Sequence, residues 1–149
     1  MYHMVQIKVT SLAEASPTSV WQLLADAEGW SRWALHDESS LERPGVSEPD
    51  GVGAIRRFRY RRTISREEVV EFDRPRRLSY VLLSGLPIKD YRADVTLTPE
   101  GGGTRIDWRS QFKGKIPGTG WLIGRGLQRF LKRTADALAA AAADLDHAR

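Results

Sequence analysis

Residues 119–149 read TGWLIGRGLQRFLKRTADALAAAAADLDHAR, and the reading of this stretch decides the fold. Its opening, TGxxxGxG, has the spacing of a loop that cradles a dinucleotide pyrophosphate, where glycines let backbone N–H groups close on a phosphate at a helix N-terminus. Such a loop follows the first strand of a βαβ unit and needs a second strand, with an acidic residue about 20 residues on to hold the ribose. Here no second strand follows. Ile123, Leu127, Phe130, Leu131, Leu138, Ala142 and Leu145 recur on one stripe at helical spacing, with Arg125, Arg129, Lys132, Asp136 and Asp144 elsewhere. The stretch is therefore one long amphipathic helix whose alanine run at 139–143 suits close packing, and no nucleotide cofactor is expected.

An apolar stripe needs a surface to lie on, and the preceding residues supply one. Val5, Ile7 and Val9 alternate with Gln6, Lys8 and Thr10, the period of a half-buried strand. In ASPTSVWQLLADAEGW, Ser16 is a candidate N-cap and Pro17 takes the first helical position; Val20, Leu23, Leu24 and Ala27 keep helical spacing and Gly29 ends the helix. GWSRWA predicts a short second helix that brings Trp30 and Trp33 together, and Leu35 to Arg43 a short strand. From Ala54 the alternation predicts strands near 54–62, 64–73, 77–84, 90–99 and 103–113, with turns at DRPRR, SGLP and PEGGG. Connections this short join antiparallel neighbours, because a parallel crossover needs a dozen or more residues. The expectation is an α+β fold: a curved antiparallel sheet of about seven strands, two short helices after strand one, and the long C-terminal helix across the sheet's apolar face.

At 149 residues the chain has the common size of one domain, taken as residues 1–149. Its 41% hydrophobic and 28% charged content is ordinary for a globular protein. No apolar run approaches the roughly 20 residues of a membrane span, and MYHMVQIKVT lacks the cationic lead and apolar core of a signal peptide. With no cysteine, disulfides and thiolate metal sites are excluded, and a cytoplasmic location without integral membrane association is the simplest expectation. The net charge is +4, yet RRFRYRR at 56–62 sets aromatics between cations, as single-strand nucleic-acid grooves do. In a strand, Arg57, Arg59 and Arg61 share a solvated face opposite Phe58 and Tyr60. One arginine strand is a weak footprint beside the clustered face that binders need, so no nucleic-acid partner is expected.

This order of elements, with SPTSVWQLLADAEGWSRW at 16–33, EEVVEFDRPRRLSYVLLSG at 67–85 and GGTRIDWRSQF at 102–112, resembles the START-like superfamily of polyketide cyclases, dehydratases and lipid carriers (SRPBCC) across almost the whole chain. The resemblance implies a helix-grip fold, in which the sheet wraps the C-terminal helix around a hydrophobic cavity. Gly118, Gly120, Gly124 and Gly126 would then let the start of that helix leave the last strand and lie close to the sheet or a neighbouring loop.

Candidates for chemistry are few. His3, His36 and His147 are scattered, there is no HExxH, and Ser84 lacks a GxSxG elbow, so no metal and no cofactor is expected. His36 and Asp37 form the best acid–base pair, although neighbouring strand residues point apart. Face selection is more telling. Ile106, Trp108, Ser110 and Phe112 share one side, as do Tyr91, Ala93, Val95 and Leu97. On the strand near 64–73 the apolar choice of Ile64, Val70 and Phe72 carries Arg66 and Glu68 inward; Ala54, Phe58 and Tyr60 bring Arg56. Inward charges are costly unless paired or wet. They supply the few polar groups of an apolar pocket, or they lie at a sheet end, pair with each other, or return to solvent through a bulge that flips the register.

The candidate ligand-binding set is Trp33, Arg56, Phe58, Tyr60, Glu68, Tyr80, Tyr91, Ala93, Trp108, Ser110, Phe112, Ile123 and Leu127, with Glu68, His36 and Arg56 as candidate catalytic groups. A largely apolar cavity of about 300 Å³ or more is expected between helix and sheet. Three functions fit: a carrier of a hydrophobic small molecule, a cyclase or dehydratase using a cavity Glu or His with Arg or Tyr, or recognition of a protein or ribosome by an outer surface. The carrier reading is preferred, because no residue set forms a recognisable acid–base constellation. Monomer and homodimer are both compatible with the sequence.

Overall fold

The computed structural model of the chain describes residues 4–148. Strand β1 (Met4–Ala13) leads into helix α1 (Pro17–Ala25), a 3₁₀ turn at Ala27–Gly29 and the single turn of α2 (Trp30–Trp33). Strands β2 (Glu38–Arg43), β3 (Ile55–Tyr60), β4 (Thr63–Asp73), β5 (Arg77–Ser84), β6 (Ile88–Glu100) and β7 (Gly103–Gly114) follow, then α3 (Gly120–His147). All neighbours are antiparallel in the order β1-β7-β6-β5-β4-β3-β2, so β2 to β7 form a meander and β1 joins it beside β7. No described helix is long and apolar enough to cross a membrane.

Local chemistry explains most boundaries. The Ser16 hydroxyl accepts from the Ser19 N–H at 3.2 Å and Pro17 opens α1. The helix stops earlier than the spacing predicts, because Asp26 leaves the helical region with ψ 95°; Ala27 therefore belongs to the 3₁₀ turn. Strand β3 ends at Tyr60, and Arg61 turns the chain with φ 56° instead of extending the arginine face.

Helix α3 packs most closely on β1, with α1 and β7 next. Gly124 makes that approach possible: a Cβ there would stand 2.9 Å from Val5 Cγ1. Gly126 has nothing within 4 Å of a Cβ, so it serves no close approach, while Gly118 takes φ 85° in the loop. At the far end Asp146 accepts from the Ser16 N–H at 2.8 Å and from the Ser19 hydroxyl, tying α3 to the start of α1.

Ile106, Trp108, Phe112, Ala93, Val95 and Leu97 are buried as the alternation predicts. Strand β4 is the exception. A bulge between Val69 and Glu71 breaks its period, so Val69 opposes Tyr80 and Phe72 opposes Leu78, both on the inner face. Phe72 is thus inward, as expected, but upstream of the bulge the phase reverses. Val69 is fully buried, Ile64 is exposed, and Glu67 takes the inward place assigned to Glu68.

Candidate functional site

Because α3 seats on β1 and β7, a cavity of about 270 Å³ remains between its first half and the middle of the sheet, a little under the expected size. One wall is α3, presenting Ile123, Gly126, Leu127, Phe130, Leu131 and Thr134. The opposite wall is the sheet, with Tyr60, Thr63, Ser65 and Glu67 from β3 and β4, and Tyr80, Leu82, Tyr91 and Trp108 from β5 to β7. Trp30, His36 and Leu86 close the sides. The helix wall is almost wholly apolar, and the polar groups gather on the sheet side.

Arg56 organises that side from behind. Its side chain is fully buried, and Nη2 donates to Glu67 Oε1 at 2.9 Å while Nη1 donates to the Leu24 carbonyl at 3.3 Å. That carbonyl lies in the last turn of α1, where no intrahelical partner exists and the dipole favours a cation; Trp30 Nε1 shares it at 2.9 Å. The guanidinium lies 4.8 Å from the Trp30 ring centroid and 5.2 Å from that of Tyr80. Arg56 therefore does not itself line the cavity; it holds Glu67, which does, with 13% of that side chain exposed. Burial pushes the Glu67 carboxyl above the usual range, and the charge of Arg56 opposes the rise.

Beside Glu67, Tyr80 accepts from Trp108 Nε1 at 3.2 Å, and the Tyr91 hydroxyl lies next to those of Tyr80 and Ser110. Burial raises both phenols well above their ordinary value, so they stay protonated and can donate to a ligand oxygen. His36 packs among the rings of Phe58 at 4.9 Å, Phe130 at 5.4 Å and Trp30 at 5.7 Å. Burial, with Arg56 adding to it, lowers its pKa to about 4, so the imidazole is neutral at pH 7. Its buried Nδ1 has no hydrogen-bond partner among the described residues.

The structure thus brings His36, Tyr60, Tyr80, Tyr91, Trp108, Ile123 and Leu127 to the cavity. Trp33 and Phe58 stack behind Trp30, while Ala93 and Phe112 are core. Ser110 is buried, does not line the cavity, and its hydroxyl has no hydrogen-bond partner among the described residues. Glu68 is corrected to the outer face, half-exposed and 3.9 Å from Arg43, and Arg66 pairs with Glu42 at 2.6 Å on the surface. The candidate set lacked Glu67, Thr63, Ser65, Leu82 and Leu86 of the sheet side, Trp30, and Gly126, Phe130, Leu131 and Thr134 of the helix; one signal for the β4 residues was that placing β-branched Val69 inward would carry Glu67 and Ser65 with it.

Known proteins agree with this architecture. A family profile described as polyketide cyclase/dehydrase and lipid transport matches residues 4–143. No curated protein matches the chain. Among solved structures, a START superfamily protein from Mycobacterium smegmatis superposes with a TM-score of 0.78 at 16% identity, covering 96% of this chain and 99% of the other. XoxI from Bacillus cereus gives 0.77 at 17% identity with the same coverage. The Aha1 dimer from Colwellia psychrerythraea gives 0.66 at 18%, covering 92% and 98%. At these identities the likeness is one of fold.

Proposed function

The chain belongs to the polyketide cyclase/dehydrase and lipid transport family, and we propose that it binds an amphipathic hydrophobic small molecule in the cavity under α3, the whole chain acting as one domain. The observation that carries this reading is the division of the walls. An apolar body fits against Ile123, Leu127, Phe130 and Leu131, while an oxygen on the opposite edge meets the Tyr80 and Tyr91 hydroxyls and Glu67. Native mass spectrometry of protein from its own host should reveal a retained lipid-like or polycyclic ligand. Such a ligand should raise the melting temperature, because it binds only the folded state. Ser65→Trp, which fills the cavity from β4, should abolish that shift and Ser65→Ala should keep it. No ligand from the host, and no stabilisation by any acyl or aromatic probe, would remove the reading.

A cyclase or dehydratase role is the second reading, and Glu67 favours it: a cavity carboxyl with raised pKa is suited to moving a proton while Tyr80 or Tyr91 steadies an enolate. Turnover of a poly-β-ketone probe that is lost in Glu67→Gln, with binding retained, separates this from simple carriage.

A further inference from the structure

The cavity uses the inner side of α3, and the outer side has no role so far. From Lys113 to Ala135 the chain carries six cations and no acidic residue, whereas the rest of the sequence has more acids than bases. At roughly 100° per residue, Trp121, Leu122, Arg125, Arg129, Lys132 and Arg133 fall within one arc of about 120°, and all six are exposed. The four cations line a groove of about 990 Å³ with Lys8 of β1. Lys132 is engaged by Asp136 at 2.9 Å, but Arg125, Arg129 and Arg133 make no ion pair among the described residues. At the helix start Trp121 is 59% exposed and Leu122 63%; Ile116, in the loop before it, is 66% exposed and borders one hollow with Trp121.

Cations alone would suit a nucleic acid, but a nucleic acid offers nothing to exposed leucine and isoleucine. An anionic bilayer satisfies both kinds of group: indole and aliphatic side chains enter the interface while guanidinium groups meet lipid phosphates. We propose that the outer face at the start of α3, tipped by Ile116, Trp121 and Leu122, docks on an anionic lipid surface. The position has a consequence for the cavity. Tyr60, Gly126 and Phe130 border both the basic groove and the cavity, so docking would set the cavity's opening beside the lipid headgroups.

Cosedimentation of the full chain with phosphatidylcholine vesicles, with and without phosphatidylglycerol, tests this. Binding is expected only to the anionic vesicles and should weaken with salt. Changing Arg125, Arg129 and Arg133 together to Gln should weaken partitioning roughly a hundredfold, at about 1 kcal/mol per cation. Trp121→Ser with Leu122→Ser should also release the protein although every charge remains. These positions are exposed, so an unchanged melting temperature certifies the variants. The cavity-filled Ser65→Trp protein should bind vesicles as wild type does, which separates failure of docking from failure of ligand binding. Equal binding to neutral and anionic vesicles, insensitivity to the arginine changes, or salt-dependent binding to single-stranded RNA through these arginines with none to vesicles would each overturn the proposal.

Discussion

Arg56→Met tests whether the ion pair behind the cavity is what the geometry says it is. At 2.9 Å the Coulomb attraction to Glu67 is roughly 6 kcal/mol with an effective permittivity of about 20. Desolvation of both ions offsets most of that, so the pair's net worth is small. Breaking it is different, because Met fills the space of Arg56 but leaves Glu67 facing a low-dielectric wall. It also removes the Arg56 donor from the Leu24 carbonyl. The expected loss is about 3–5 kcal/mol, or a melting temperature lower by roughly 10 °C for a chain of this size.

The pH dependence gives the sharper test. Without Arg56, burial acts alone on Glu67 and its folded pKa rises further above the ordinary 4.5. A raised carboxyl contributes stability that is present below the unfolded pKa and lost as pH rises through the folded one. Urea unfolding should therefore show a larger deficit near pH 8 than near pH 5, at unchanged m-value. Arg56→Met with Glu67→Leu should recover most of the loss, because two apolar groups replace two ions. A deficit under about 1 kcal/mol, a deficit independent of pH, or additive single variants would refute the argument.

His36 should make the fold acid-sensitive. Its pKa falls from 6.5 unfolded to about 4 folded, so stability is full above 6.5 and up to roughly 3 kcal/mol is lost as pH falls toward 4; His36→Phe should flatten that slope in acid titrations followed by circular dichroism. Gly124→Val should cost about 1–3 kcal/mol, since its Cβ would press on Val5 at 2.9 Å. Gly126→Ala, with open space around it, should instead gain up to about 1 kcal/mol of helix propensity in the same denaturation assay. Asp146→Ala should lose about 1 kcal/mol by freeing the Ser16 N–H and the Ser19 hydroxyl.

The architecture was legible because its signals are periodic and local. Alternation gave five consecutive strands, short turns made them antiparallel, and the 3.6-residue stripe after Gly120 made the helix. The pairing of β1 with β7 was not legible, since it joins residues about a hundred positions apart and no turn specifies it. Nor was the early end of α1, which depends on one backbone torsion at Asp26 rather than on any hydrophobic period.

The site was legible where a strand keeps its phase and illegible where it does not. Trp108 lies on a regular stretch of β7, and Tyr80 pairs in regular register with Ala93 of β6. The irregularity of β6 between Lys89 and Arg92 leaves Tyr91 in phase with Ala93, Val95 and Leu97, so the period placed Tyr80, Tyr91 and Trp108 on the inner face. On β4 the eye is drawn to Phe72, and counting back by two from it makes Glu68 inward. The bulge at Val70 adds one residue between Phe72 and Val69, so the count fails by one and selects the wrong glutamate of the Glu67–Glu68 pair. Burial energetics would have chosen correctly had Arg56 been weighed together with β4. A guanidinium carried inward by Ala54 and Phe58 needs a carboxylate on the same face of the neighbouring strand, and Glu67 sits opposite Arg56 in the β3–β4 register. The charge that alternation made awkward was thus the best guide to the phase of the strand beside it.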